Sequence, residues 1–250
     1  MRKPNAQTDT NIITIKDYPS GMVAYDVSNI QSRSFTVGDI RYLMSKGLDH
    51  ESVVEKYNEA CINFEVFKLS LLDYFFHATN VTLFSNPQQQ WIWSPRCTKC
   101  KRPMSITIMY SNFFEFNEVN LDGYPLWVTI NGKELEIGFF TVRNWLDIKD
   151  VKYVEYDKEL LTIALMVKNM EVEEAYQFIK NIVNLEDLQL LSHCEKLLGS
   201  HGLKPKELKC EYTECGHTDT YDTELAVSDV TPFRQPPEII KSRIVFGKRN

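Results

Sequence analysis

The sequence predicts an α+β fold that is mainly helical and has a central β-hairpin and a zinc-ribbon-like knuckle region. Three observations support this class. Apolar residues recur at helical spacing over 36–84 and again over 141–198. The stretch between them alternates like strands and contains the pair Cys97-x-x-Cys100. Asn131-Gly132 separates two alternating runs within 124–140, which is typical of a two-residue hairpin turn.

The N-terminal elements follow from turn and capping residues. Tyr18-Pro19-Ser20-Gly21 predicts a turn between two short strands within 12–35. Three polar positions precede apolar helical faces, and helices are expected to begin there: Thr36, Asp49 or His50, and Ser70. The third helix, Leu71 to about Phe84, is apolar on almost every side, which indicates a buried central helix.

The C-terminal half predicts further helices and one more pair of strands. The helices are expected at about 141–147, 157–167, 171–183 and 185–198, and short strands within 203–225. The chain is thus expected to have four parts: a flexible N-terminal tail 1–11, a mostly helical region 12–90, a zinc-knuckle region with a β-hairpin and inserted helices 91–227, and a Pro-containing C-terminal tail 228–250.

Composition excludes several classes of function. A net charge of −6 and a pI near 5.5 argue against general affinity for nucleic acid or anionic membranes. No run approaches the ~20 apolar residues that cross a bilayer, and no apolar segment follows the N-terminal cations as in a secretion signal. We therefore expect an intracellular, reducing compartment, where the six cysteines are metal ligands or reactive thiols rather than disulfides.

Two cysteine pairs predict a structural Zn²⁺ site. Cys97-x-x-Cys100 and Cys210-x4-Cys215 are each followed by a turn and a strand-like run, as in zinc knuckles, and together they supply four thiolates. The pairs lie over a hundred residues apart, whereas zinc-ribbon pairs are usually separated by about 15–20 residues. Two alternatives stay open: unrelated reduced cysteines, or His217 in place of one cysteine ligand.

The chain lacks the common catalytic motifs. It has no G-x-x-x-x-G-K or G-x-G-x-x-G loop, no G-x-S-x-G and no H-E-x-x-H. We therefore predict a non-catalytic protein without a small-molecule substrate. One alternative is a zinc-knuckle nucleic-acid-binding protein that uses Arg96, Lys99, Lys101 and Arg102. Another is a metal enzyme with an open zinc position, which four thiolate ligands disfavour.

Three features in chain order resemble the baseplate hub proteins of T4-like bacteriophages. They are the Tyr18-Pro19-Ser20-Gly21 turn with Tyr25, the helix Leu69-Ser70-x-x-Asp73-Tyr74-Phe75-Phe76, and the Cys97-x-x-Cys100 knuckle, followed by the strand and the Asn-Gly hairpin. In length the chain is closest to the hub assembly catalyst of that group. The resemblance implies a late protein of virion assembly that acts in the host cell cytoplasm by binding hub or tape-measure proteins.

Two apolar segments are candidates for such binding. Phe113, Phe114 and Phe116 form either an exposed docking segment or a core strand. The C-terminal tail contains Ile239, Ile240, Ile244, Val245 and Phe246, and it is expected to dock rather than remain solvated.

Overall fold

The computed structural model describes residues 11–47, 49–86, 90–109, 115–117, 121, 123–149, 151–200 and 203–221. The helices are α1 (Val37–Ser45), α2 (His50–Ala60), α3 (Leu71–Ser85), α4 (Val142–Asp147), α5 (Lys158–Met166), α6 (Val172–Ile182) and α7 (Leu185–Leu198), with 3₁₀ turns at Val66–Lys68 and Val151–Tyr153. The strands are β1 (Ile12–Ile15), β2 (Ile30–Arg33), β3 (Gln90–Trp93), β4 (Ile106–Met109), β5 (Leu126–Ile130), β6 (Lys133–Ile137), β7 (Lys206–Lys209) and β8 (Thr218–Tyr221). The predicted α+β class is confirmed.

The strands form four separate antiparallel pairs, β1–β2, β3–β4, β5–β6 and β7–β8. The predicted Asn131-Gly132 turn joins β5 to β6, and both residues have positive φ, 51° and 77°. A type I′ turn requires this backbone, and Asn and Gly tolerate it best. The hairpin prediction is therefore confirmed, with the turn at the predicted residues Asn131 and Gly132.

The predicted helix starts are also confirmed. Thr36 caps α1 and exchanges hydrogen bonds with Asp39, so the pair forms a capping box. Asp49 caps α2, and Ser70 caps α3 by accepting from the amide of Asp73 at 3.0 Å. Every residue of α3 is buried or half-buried, as its nearly continuous apolar surface predicts.

A buried carboxylate ties the Tyr18–Gly21 turn to α3. Asp73 is fully buried, and its side chain accepts from the Ser20 amide at 3.2 Å, the Ser20 hydroxyl and the Tyr25 hydroxyl at 2.5 Å. The Tyr25 hydroxyl in turn accepts from the Ser70 amide at 2.9 Å. Because a buried charge is tolerated only when it is hydrogen-bonded, these contacts fix the turn on the helix.

His77, one turn along α3 from Asp73, joins two further hydroxyl groups in the same core. Its Nδ1 lies 2.7 Å from the Tyr18 hydroxyl, and its Nε2 lies 3.2 Å from the Ser32 hydroxyl. Burial lowers the pKa of His77 to about 3, so the ring is neutral at pH 7 and one nitrogen accepts while the other donates.

A second core lies in the C-terminal half, where β5–β6 packs against α5, α6 and α7. The two cores are joined by backbone hydrogen bonds from Leu71 to Phe140 and from Val142 to Leu69 at 3.0 and 2.9 Å. Helix α4 belongs to the N-terminal core, because Val142 and Trp145 pack there.

The division into four chain segments is not tested by these contacts and stays a prediction. Residues 1–10 of the predicted N-terminal tail, and the whole of the tail 228–250, lie outside the described residues. None of the helices in the described part of the chain combines the length and the apolar character that crossing a bilayer requires.

Asp73→Ala should lower the free energy of unfolding by about 3 kcal/mol, because it leaves buried donors on Ser20 and Tyr25 without their acceptor. Urea denaturation measures this change. Asp26→Ala is the matched control at an exposed carboxylate and should change stability by less than about 0.5 kcal/mol. Equal effects of the two substitutions would contradict the role assigned to Asp73.

The buried neutral His77 should make stability depend on pH. Its folded pKa is depressed, so its contribution is complete above the unfolded value near 6.5 and is lost as pH falls towards the folded value of about 3. The unfolding free energy should therefore fall by up to about 1.4 kcal/mol per pH unit below pH 6. His77→Gln should reduce this slope between pH 6.5 and 5, and exposed His193→Gln should leave it unchanged.

Candidate metal centre

The two cysteine pairs lie in the loops of two antiparallel hairpins. Cys97 and Cys100 fall between β3 and β4, and Cys210 and Cys215 fall between β7 and β8. The hairpins are far apart in the chain, yet the structure brings the loops together. The four predicted ligand residues therefore form one cluster, as two knuckles of a zinc-ribbon-like site would.

The sulfur positions fit a tetrahedral metal ion. Sγ of Cys97 lies 3.8 Å from Sγ of Cys215, Sγ of Cys100 lies 3.8 Å from Sγ of Cys210, and all four sulfurs lie within 4.8 Å of one another. A metal–sulfur distance of about 2.3 Å gives a tetrahedral edge of about 3.8 Å. A disulfide needs about 2.05 Å, and all four cysteines are free.

Matching backbone turns present the two pairs of thiols. In the first knuckle the Lys101 amide donates to the Cys97 carbonyl at 2.9 Å, and in the second the Gly216 amide donates to the Tyr212 carbonyl at 3.0 Å. The residue after the second cysteine is left-handed in both knuckles, with φ of 62° at Lys101 and 52° at Gly216. Glycine adopts this conformation readily, whereas lysine does so at a cost in conformational energy.

A small apolar shell surrounds the sulfur atoms. Cys97, Cys210 and Met104 are 0%, 5% and 1% exposed, and the partly buried Ile106 and Tyr221 pack against them. Direct contacts also join the two knuckles. The Tyr212 hydroxyl donates to the Pro103 carbonyl at 3.0 Å, the Ser105 amide donates to Glu211 at 3.2 Å, and Thr98 hydrogen-bonds Asp219. Cys97 and Cys210 are therefore shielded from solvent, Cys100 and Cys215 are half-buried, and the contacts hold the two knuckles in register.

The thiols differ in acidity for local reasons. The backbone amide of Cys100 donates to the sulfur of Cys97, and such hydrogen bonds lower the pKa of the Cys97 thiol to about 6. Burial raises the pKa of the Cys210 thiol to about 12. A divalent cation at the centre would stabilise all four sulfurs as thiolates, because metal ligation releases the thiol protons. The donor set is thus suited to a thiophilic metal ion.

His217 and the two remaining cysteines do not belong to the cluster. The His217 carbonyl accepts from the Cys210 amide at 2.7 Å, while Nε2 of its ring lies 3.9 Å from Asp219. Cys194 is buried in the C-terminal core, and Cys61 packs half-buried against the N-terminal core.

Acidic neighbours offset the predicted basic patch on the first knuckle. Arg96, Lys99 and Lys101 are exposed, but Arg102 pairs with Glu214 and stacks on the Tyr212 ring at 4.9 Å. The Glu214 carboxylate raises the pKa of the Arg102 guanidinium further. The ion pair with Glu214 therefore offsets one of the four cations of the predicted patch.

A segment next to Phe116 connects the metal centre to the rest of the protein. The Lys204 amide donates to the Glu115 carbonyl at 2.8 Å, and Lys206 pairs with the Glu115 carboxylate at 2.6 Å. Phe116 is half-buried and packs edge-on against Phe76 of α3 at 5.3 Å. Of the predicted aromatic segment, Phe113 and Phe114 lie outside the described residues, and Phe116 serves as a packing contact.

Comparisons with known proteins do not assign the chain to a group. No family model, no curated protein and no solved structure matches it. A functional conclusion therefore depends on the cysteine cluster, on the exposed surface and on the sequence resemblance.

Protein purified without chelators under reducing conditions should contain about one metal ion per chain, measured by inductively coupled plasma mass spectrometry. Cys97→Ser should remove most of this metal and lower the unfolding temperature, because metal binding contributes to the folding free energy. Cys61→Ser should retain the metal, since its thiol lies in the N-terminal core. A metal-free wild-type protein would contradict the assignment.

Proposed function

We propose that the protein is a non-catalytic phage tail assembly factor that promotes or takes part in baseplate hub formation by binding hub or tape-measure proteins. The composition of the metal cluster supports the proposal that the protein is non-catalytic. Four thiolates occupy all four positions of a tetrahedral ion, whereas catalytic zinc sites keep one position open for water or substrate. Such a centre stabilises a binding protein and activates no reactant.

Zn²⁺ is the ion we propose for this cluster. A donor set made only of cysteines selects soft metals, and the tetrahedral spacing of the sulfurs favours zinc or an iron–sulfur centre. The placement of each pair in the loop of a two-stranded hairpin supports zinc, because structural zinc sites commonly use such knuckles. Zinc is thus the element expected in the metal measurement above.

The residues that carry the resemblance to hub proteins have structural roles in this chain. Ser20 and Tyr25 donate to Asp73, and Tyr18 hydrogen-bonds His77, all within the N-terminal core. Motifs of this kind maintain a fold, and a shared fold is what members of an assembly family would have in common. The network therefore gives these residues a role in the fold and gives no support to a shared active site.

An exposed aromatic side chain supports function through binding. Trp127 lies on the outer face of β5 and is 58% exposed, opposite Glu136 of β6. Tryptophan contributes strongly to interfaces when a partner buries it, because it carries a large apolar surface at low conformational cost. We place this face in contact with the tail component.

Tagged protein expressed in infected cells should co-purify with a hub or tape-measure protein, without a requirement for ATP. Apolar burial should make capture insensitive to moderate salt, because screening weakens ion pairs much more than apolar contacts. Trp127→Ala should reduce capture at least about tenfold, which corresponds to a hot-spot contribution above about 1.4 kcal/mol. Quantitative mass spectrometry of the captured proteins measures both effects.

Thr129→Ala is the matched control, since Thr129 lies two residues along the same exposed face of β5. It should leave capture unchanged. Capture of no tail protein at any salt concentration would contradict the proposed function. Recovery of nucleic acid at low salt, with loss of all capture at high salt, would instead favour the nucleic-acid-binding alternative.

A further inference from the structure

Two adjoining cavities form a groove between α5 and α7. Their volumes are about 450 and 570 Å³, and they share Thr162 and Glu195 at the point where they meet. The larger cavity has apolar walls from Leu160, Ile163, Leu185 and Leu188. The smaller one has a second apolar set: Leu71, Leu72, Phe139, Phe140, Met166 and Leu198. The groove therefore has apolar residues at both ends and Glu195 where the cavities meet, and its other lining residues include Lys158, Glu159, Gln189, Ser192 and Lys196.

The charge at the centre of the groove favours a cationic occupant. Glu195 is half-buried, and burial raises the pKa of its carboxyl group; the nearby charge of Glu159 raises this pKa further, and Lys196 lowers it by a smaller amount. Lys158 is directed elsewhere, because its ammonium group donates to the carbonyls of Ile148 and Tyr153 at 3.0 Å. A cation brought in by an occupant would relieve the repulsion between the two carboxylates.

One segment of the same chain has the complementary pattern. Residues 239–246 read Ile-Ile-Lys-Ser-Arg-Ile-Val-Phe, so two apolar groups flank the cations Lys241 and Arg243. No acidic residue occurs from Ile239 to Asn250. The segment lies outside the described residues, and its apolar–cationic–apolar order matches the apolar–carboxylate–apolar order of the groove.

The chain is long enough to bring this segment to the groove. Gly199 lines the smaller cavity, and Lys206, seven residues later, pairs with Tyr221 across β7–β8. Seven residues span at most about 25 Å, and a strand pair adds about 5 Å, so Tyr221 lies within about 30 Å of Gly199. The connecting residues 222–238 can span about 56 Å when extended and about 23 Å when relaxed.

We propose that residues 239–246 bind in the α5–α7 groove of the same chain. Their two apolar groups occupy the two ends, and Lys241 and Arg243 face Glu195. The tether raises the local concentration of the segment to the millimolar range, so a weak contact is sufficient for occupancy. This intramolecular contact is independent of the partner proposed above.

A photo-crosslinking amino acid at Phe246 of the full-length protein tests the contact. Irradiation at low protein concentration should give a monomeric adduct, and peptide mass spectrometry should place it on α5, α7 or the Leu71–Leu72 wall. The same probe at Phe233, in the connecting segment, is the control and should not label the groove. Labelling by Phe246 of other surfaces only, or adducts confined to dimers, would overturn the proposal; dimers would indicate exchange of the segment between copies.

Charge reversal provides a second, independent readout. Glu195→Lys should lower the groove adduct about fivefold, the factor for a charge pair of about 1 kcal/mol. Glu155→Lys, at an exposed position outside the groove, should have no such effect. Combining Glu195→Lys with Lys241→Glu and Arg243→Glu should restore the adduct. A combined variant that folds but shows no recovery would overturn the pairing of these charges.

Discussion

The fold depends most on the meeting of four cysteines from two hairpins that are 110 or more residues apart in sequence. Such a separation is far longer than the usual spacing of about 15–20 residues. The entropic cost of closing a loop nevertheless grows only with the logarithm of the loop length. Closing a loop of 110 residues therefore costs about 1.6 kcal/mol more than closing one of 18 residues. Structural zinc contributes about 10–16 kcal/mol in zinc-finger peptides, so a metal ion bound by the four cysteines would outweigh this added cost.

The intervening chain makes the closure easier because it folds on its own core. Residues of β5, β6 and α5–α7 pack together between the two cysteine pairs, so the chain returns near its point of departure. The Glu115 contacts with Lys204 and Lys206 hold the segment that enters the C-terminal core beside the segment that leaves it. By contrast, the shell around the sulfurs contains few apolar residues, and a core of that size does not sustain a hairpin pair alone.

Local sequence was sufficient to predict the helices, the strands and their turns. It was insufficient to predict the contacts between segments that are distant in sequence. Caps at Thr36, Asp49 and Ser70, and the Asn131-Gly132 turn, act within a few residues, so their outcome could be read from the sequence. Gly216 also signalled its left-handed turn. Lys101 has the same backbone without any such signal, and its amide donates to the Cys97 carbonyl of the same knuckle. Likewise, no local pattern connects Ser20 with Asp73, which meet across 53 residues.

These two distant contacts also bear on function. The buried Asp73 network and the thiolate cluster use polar groups that would be costly if left without partners, and both use them to fix one chain arrangement. The Asp73 side chain is buried, and the four cysteines are buried or half-buried. On the described part of the chain, the exposed apolar side chains include Trp127, and the α5–α7 groove combines apolar walls with the carboxylate of Glu195. Exposed apolar surface is a common feature of protein-binding sites, and it supports the binding role proposed above.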